Sequence, residues 1–118
     1  MTTLTTLTPV RLTALAPQQL GNTVRLLYTC PANTYAKVSA TTLSNTLAVP
    51  VSVTLHLVPA GSSPSVQTQI ISNQNIAGNS TYIGSELNNH ILHPGDQLWG
   101  LSSVPNALNV TISGSHFS

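Results

Sequence analysis

Charge is almost missing from this sequence. Of 118 residues only Arg11, Arg25, Lys37, Glu86 and Asp96 carry a formal charge, 4% of the chain, where an average domain has roughly a quarter. Three cations against two anions cannot build the basic footprint that releases counterions from a nucleic-acid backbone. The same scarcity does not signal disorder, which goes with low hydrophobicity and high net charge; here 41% of residues are hydrophobic and the net charge is +1. Cysteine is reduced to Cys30, so no intramolecular disulfide braces the fold. Aliphatic runs are a few residues long, far short of the ~20 that cross a bilayer. The first eight residues, Met-Thr-Thr-Leu-Thr-Thr-Leu-Thr, lack the cationic and continuous apolar regions of a secretion signal. Nucleic acid and membrane are therefore not expected as partners. Helix formers are short too: Glu, Lys and Arg are rare while Thr, Val, Asn and Pro abound, which disfavours a helical bundle.

What is present is neutral polarity. Sixteen Thr, 14 Ser, 10 Asn and 6 Gln stand beside 16 Leu, 10 Val and 6 Ile. These two groups alternate. In residues 49–58, Val49, Val51, Val53, Leu55 and Leu57 fall on one face and Pro50, Ser52, Thr54 and His56 on the other, the period of a half-buried strand. Leu108, Val110 and Ile112 alternate with Asn109, Thr111 and Ser113 in a second strand at 107–113, and Val24, Leu26, Tyr28 and Cys30 form a third inward set. Further strands are expected at 37–45, 67–74, 80–84 and 97–102, with a short one at 10–15. Pro50 has no N–H for a ladder, so its strand lies at an edge or pairs only beyond it.

Turn residues separate these segments at 30–33, 59–64, 77–79 and 93–96. Seven or eight short antiparallel strands with turns about every ten residues describe an all-β, single-domain β-sandwich or jelly roll. The domain is expected over 16–118. Residues 1–15 form an N-terminal arm or edge segment, with Leu4 and Leu7 as apolar contacts for a neighbouring subunit; fraying is the plainer alternative.

Few residues invite chemistry. Glu86 and Asp96 are the only carboxylates, and glycoside hydrolysis needs two at a fixed separation; Asp96 after Pro94 and Gly95 has the place of a turn residue. Cys30 ends a strand on its apolar side with no base near it in sequence, the setting of a buried thiol. Glu86, His90, His93 and Asp96 lie within eleven residues and are all metal-ligand types, yet Pro94 and Gly95 break any helix that would align them. Two sequons, at Asn79 and Asn109, are expected by chance in a chain so rich in Asn, Ser and Thr. No catalytic residue, metal or other cofactor is expected, and the chain is read as non-enzymatic. Trp99 between Leu98 and Leu101 is a core or interface anchor, or a sugar-stacking ring. His56 faces solvent or a subunit. Leu4, Leu7, His56 and Trp99 are the candidate interface residues.

The strings have a familiar order. Residues 27–38, Leu-Tyr-Thr-Cys-Pro-Ala-Asn-Thr-Tyr-Ala-Lys-Val, resemble a Leu-Tyr-Thr-Val-Pro-Ala-Gly-Thr strand and turn of small tailed-bacteriophage virion proteins. A Val-Thr-Val-type strand and Val-Pro-x-Gly loop follow, as in 51–61. A Leu-x-Pro-Gly-Asp-x-Leu turn is similar to 92–98, and a closing Asn-Val-Thr-Ile-Ser-Gly strand matches 109–114. Cys30 replaces the usual Val and Asn33 the usual Gly; Asn tolerates the left-handed conformation of such a turn. The resemblance covers about residues 20–114. It implies a β-sandwich accessory virion protein: a capsid cement or decoration protein, or a neck, tail or fibre component. It further implies a homo-oligomer, often a trimer, partnered by the major capsid protein or other virion proteins. Its place would be the capsid surface, after assembly in the host cytoplasm. A glycan-binding, receptor-recognising module is the alternative, with Trp99 or several Tyr in an exposed groove. Composition points the same way, because hydroxyl and amide groups satisfy hydrogen bonds in a contact without the cost of burying an ion.

Overall fold

A computed structural model describes residues 7–11, 18–85 and 87–117. The strands in chain order are β1 (Leu7–Arg11), β2 (Gln18–Gln19), β3 (Arg25–Thr29), β4 (Tyr35–Asn45), β5 (Val51–Val58), β6 (Gln69–Ile76), β7 (Thr81–Ile83), β8 (Ile91–Leu92), β9 (Gln97–Ser102) and β10 (Leu108–Phe117). The one helical element among the described residues is a 3-10 turn, Val66–Thr68. No helix there is long and apolar enough to cross a membrane.

The pairing is nested. β5 and β6 form the innermost antiparallel pair; β4 takes β7 and β8, β3 takes β9, and β10 takes β2 and β1. Folding this long nested hairpin over brings β10 beside β4 and β9 beside β5. Two sheets result: β1-β10-β4-β7, with β2 on β10 and β8 on β4, and β3-β9-β5-β6. This is a jelly roll, the arrangement in which two antiparallel sheets share one core. We call the first the outer-strand sheet and the second the hairpin sheet.

Between them lie the residues that alternation places inward. Val38 and Leu43 of β4, Val51, Val53 and Leu55 of β5, and Leu108, Val110 and Ile112 of β10 are all buried. Two polar clamps close the sandwich at opposite ends. At one, Asn45 at the end of β4 donates to the carbonyls of Val49 (2.9 Å), Ile76 (3.1 Å) and Ala77 (3.2 Å) and accepts from the Leu47 N–H. At the other, the Tyr28 hydroxyl on β3 meets His116 Nε2 on β10 at 2.5 Å. Loops use Asn where the backbone turns left-handed, with positive φ at Asn33, Asn73, Asn79, Asn89 and Asn106.

Three expectations need correcting: Val49, expected inward, is 55% exposed because it precedes β5, and bulges explain the other two. Val24 and Leu26 are each 41% exposed while Leu27 is buried. The β3–β9 register shifts between Leu26 and Tyr28, so the extra residue turns Leu27 inward and Leu26 out. The last strand does not stop at Ser113 but runs on to Phe117. A second shift at Ser113/Gly114 lets it continue, and only glycine fits there, since a Cβ on Gly114 would lie 1.9 Å from the Lys37 carbonyl oxygen. Of the two places open to the strand after Pro50, the fold takes the interior one. β5 starts pairing at Val51, so the missing N–H falls outside the ladder. The strands β2 and β8 are two residues each, too short to display an alternation.

Candidate functional site

The two outer faces of the sandwich differ in chemistry. On the outer-strand sheet, β4 and β10 set Ser44 opposite Asn109 and Thr42 opposite Thr111, and β7 extends these rows with Thr81 and Ile83. Thr42 and Thr111 are exposed, Ser44 and Asn109 half-buried. Only Ile83, 66% exposed, interrupts the polarity of these rows. Successive side chains point to opposite faces, so every apolar partner of these hydroxyls is already in the core.

On the hairpin sheet the outward residues are unlike each other. Ser52, Thr54, His56 and Val58 point outward from β5, but Thr54, His56 and Val58 are 3%, 5% and 0% exposed. The chain roofs them itself. The loop after β5 returns as the turn Val66–Thr68, and Thr68 Oγ1 lies 2.8 Å from His56 Nδ1. Thr68 also accepts from the Ser65 N–H and donates to the Ser65 carbonyl. Its one hydroxyl proton is thus spent, which assigns the proton of the His56 bond to Nδ1. Burial pushes His56 below its ordinary pKa of 6.5. Thr54 does parallel work. Its hydroxyl accepts from the Asn73 N–H at 3.0 Å and so holds the β6 bulge, where Asn73 has φ 48°.

The β9 side of the same face is less deeply covered. Gln97, Trp99 and Leu101 alternate outward, all half-buried, against the buried Leu98, Gly100 and Ser102. Trp99 lies opposite Leu26 of β3 and His56 of β5. Its Nε1 donates to Gln97 Oε1 at 2.9 Å, and Gln97 Nε2 reaches Thr29 Oγ1 at 3.4 Å.

The candidate interface residues are therefore not gathered at one place. Leu4 lies outside the described residues. Leu7 begins β1, where its backbone pairs with Phe117. Trp99 is on the outer face of the hairpin sheet and His56 beside it, beneath the chain's own turn rather than facing solvent. Leu26 and Leu101, which complete the Trp99 surface, are not among the residues that the sequence marks as interface candidates. The signal for Leu26 is the apolar triplet Leu26, Leu27, Tyr28, which cannot alternate without a bulge.

The ionisable groups are set up as structure. Asp96 accepts from the Ala60 and His93 N–H groups, each at 2.9 Å. It closes a turn in which its own N–H bonds the His93 carbonyl and Gly95 has φ 87°, a type II turn with Pro94 and Gly95 in their favoured places. Cys30, 2% exposed, donates weakly to the Thr34 and Leu92 carbonyls. Burial first, and then the Asp96 charge, push its thiol above the ordinary value. Burial does the same to the Tyr28 phenol, followed by the neighbouring Cys30. Glu86 lies outside the described residues. Among the described ones no three His, Cys, Asp or Glu side chains come together as a metal site would need. Tyr28 and Tyr82 pack on the core and Tyr35 stacks edge-on against His93 at 5.1 Å, so they add no further rings to the Trp99 surface.

No protein-family model matches this chain, and no curated protein matches it in sequence. Solved structures do. A chain of infectious bursal disease virus, Gx strain, superposes with a TM-score of 0.53 at 7% identity, covering 95% of this chain and 32% of the viral one. A chain from the disulfide-linked pili of Bacillus endospore appendages superposes with a TM-score of 0.54 at 12% identity, covering 100% of this chain and 95% of that one. This chain thus spans about a third of the viral chain and nearly all of the pilus chain. What it shares with both is the fold.

Proposed function

We propose that this chain is a non-enzymatic structural subunit of a viral particle, a cement or decoration protein that oligomerises and staples capsid subunits together. The observation that carries the reading is the pair of outer faces. They present mainly hydroxyls and amides with a few apolar side chains, Leu26, Ile83 and Ile91 among them, and few ions to desolvate, on a jelly roll whose Asp96 and Tyr28 are engaged in a turn and a clamp. Neutral polar groups form contacts without the penalty of an unpaired buried charge. A jelly roll serves many functions, but two of its solved examples, a bursal disease virus chain and an endospore pilus chain, belong to assembled structures. The resemblance of residues 27–38, 92–98 and 109–114 to tailed-phage virion proteins, which serve at capsid, neck, tail or fibre, supports a virion setting; within it we assign this chain to the capsid surface, with the major capsid protein as partner and a trimer as the homo-oligomer.

The test compares particles carrying the protein with particles stripped of it. A cement role predicts that stripped particles melt at lower temperature and burst at lower pressure, and that intact ones carry the protein at lattice-scale copy number. Equal melting and bursting would refute it, and a copy number matching a single portal or tail would place the chain at neck, tail or fibre.

A further inference from the structure

We infer that residues 59–68, the loop from β5 to β6, form a flap worked by proton uptake: it lies closed on His56 while the imidazole is neutral and lifts when the ring becomes a cation. The inference goes beyond the assembly reading and does not depend on it.

The loop is built to separate from the sheet. None of Val66, Gln67 and Thr68 is buried, and Val66 is 82% exposed, so no apolar side chain of the turn anchors it in a core. A segment with few buried apolar contacts is the kind that opens locally while the rest stays folded. Its own backbone bonds are internal: the Thr68 N–H donates to the Ser65 carbonyl, and the Ser62 N–H to the Pro59 carbonyl. They travel with the loop and do not resist its lifting. What ties the loop to the rest of the molecule is two titratable side chains, one toward each end. Asp96 accepts from the Ala60 N–H at 2.9 Å, and His56 Nδ1 donates to Thr68 Oγ1 at 2.8 Å.

Of the two anchors, only His56 is enclosed. It is 5% exposed, and no charge faces it. Thr54 and Val58 neighbour it on β5, Trp99 stands opposite on β9 and Gln69 on β6, and Ser65 and Thr68 meet it from the loop. None of these side chains is ionisable. Asp96 is engaged elsewhere, by the Ala60 and His93 N–H groups and by the His93 ring 3.8 Å away. Burial lowers the His56 pKa, against a smaller opposing contribution from the Ser65 backbone, and no charged side chain takes part. An imidazolium closed in without an anion is costly, whereas a lifted loop lets water reach it. Proton uptake therefore favours the open form. Opening frees Thr68 and bares His56 beside Trp99, so the hairpin sheet presents one surface near neutral pH and another in mild acid.

Amide exchange read residue by residue by NMR tests this, expressed as protection factors so that the intrinsic pH dependence of exchange is removed. In the parent, protection of the Ser65 and Thr68 amides is expected to fall about tenfold between about pH 7.5 and about pH 5, while the β10 amides keep theirs. His56→Gln cannot gain a charge, and its Ser65 and Thr68 amides are expected to show the same protection at both pH values. His56→Asn serves if the glutamine variant is unfolded. Asp96→Asn is expected to retain the parent's fall. Loop protection that stays constant in the parent overturns the inference. So does a fall shared equally by the β10 amides, which is loss of the whole fold rather than lifting of a flap. A fall that survives in His56→Gln, or one that Asp96→Asn abolishes, assigns the response to another group and overturns it too. All of these are measured on the free chain, so failure of the capsid reading, seen in stripped particles, stays separate.

Discussion

The two outer faces start from similar materials and end differently. On the outer-strand sheet the rows Ser44–Asn109 and Thr42–Thr111 remain open to water, held by β4 and β10 pairing alone. On the hairpin sheet His56 of β5 lies against the Val66–Thr68 turn and Thr54 is bonded to Asn73 of β6, while Trp99 of β9 is half-buried and Leu26 of β3 exposed. A hydroxyl on the first face is a wetting group. On the second, the hydroxyls of Thr54 and Thr68 are structural fasteners. In a chain with so few ions, function and stability are apportioned by which threonines the tertiary fold covers.

The largest test of this contrast lies in the strands beneath the faces. Gly114→Ala places a Cβ 1.9 Å from the Lys37 backbone oxygen, which cannot yield. It should cost at least about 4 kcal/mol or prevent folding. Gly100→Ala on the hairpin sheet meets the ends of Leu55 at 2.7 Å, Leu27 at 3.2 Å and Leu20 at 3.3 Å, side chains rather than backbone, for a loss of about 1–3 kcal/mol. Equal losses in denaturant titration would contradict the asymmetry.

Next comes the clamp that holds the faces back to back. Asn45→Ala removes the donors to three carbonyls and the acceptor for Leu47 N–H. Leaving these groups buried and unpaired predicts a loss of about 2–3 kcal/mol, measured as a shift of the urea midpoint at constant slope.

The fasteners should be worth less, and only on one face. Thr54→Val releases the Asn73 N–H and should cost about 1–2 kcal/mol. The β6 amides around Asn73 should exchange faster with solvent deuterium. If those amides keep their protection, Thr54 does not hold the bulge.

His56 adds a pH signature to the same roof. Its folded pKa is lowered by burial, so the unfolded chain takes up the proton more readily. Stability is therefore unaffected by this group above pH 6.5 and declines as pH falls below that value. His56→Gln should flatten the decline in melting temperature. An unchanged slope would mean that another group produces it. The smallest effect belongs to the open face: Thr111→Ala should fall within about 0.5 kcal/mol of the parent.

Much of this is legible in the order of residues alone. Alternation in 49–58 and 107–113 locates β5 and β10 and names Val51, Val53, Leu55, Leu108, Val110 and Ile112 as core, because a strand's period ties residue parity to one side of a sheet. The turn at 93–96 is readable from Pro94 and Gly95. Parity fails wherever a bulge intervenes. At Leu26–Tyr28 the extra residue exchanges the inward and outward sets, and at Ser113/Gly114 a glycine that resembles a stop is a crossing point. Parity puts His56 on the correct side of its strand but in the wrong surroundings, since nothing local to residue 56 announces that Thr68 will cover it.

Residue type and period are enough to make the chain all β, its core aliphatic and its surface neutral, because both properties are local. Which neutral groups become surface at all is settled only when the sheets close. Covering His56 and turning Leu26 outward depend on a loop returning over its own sheet and on a bulge, and such long-range closures are selected by packing rather than encoded at any one position.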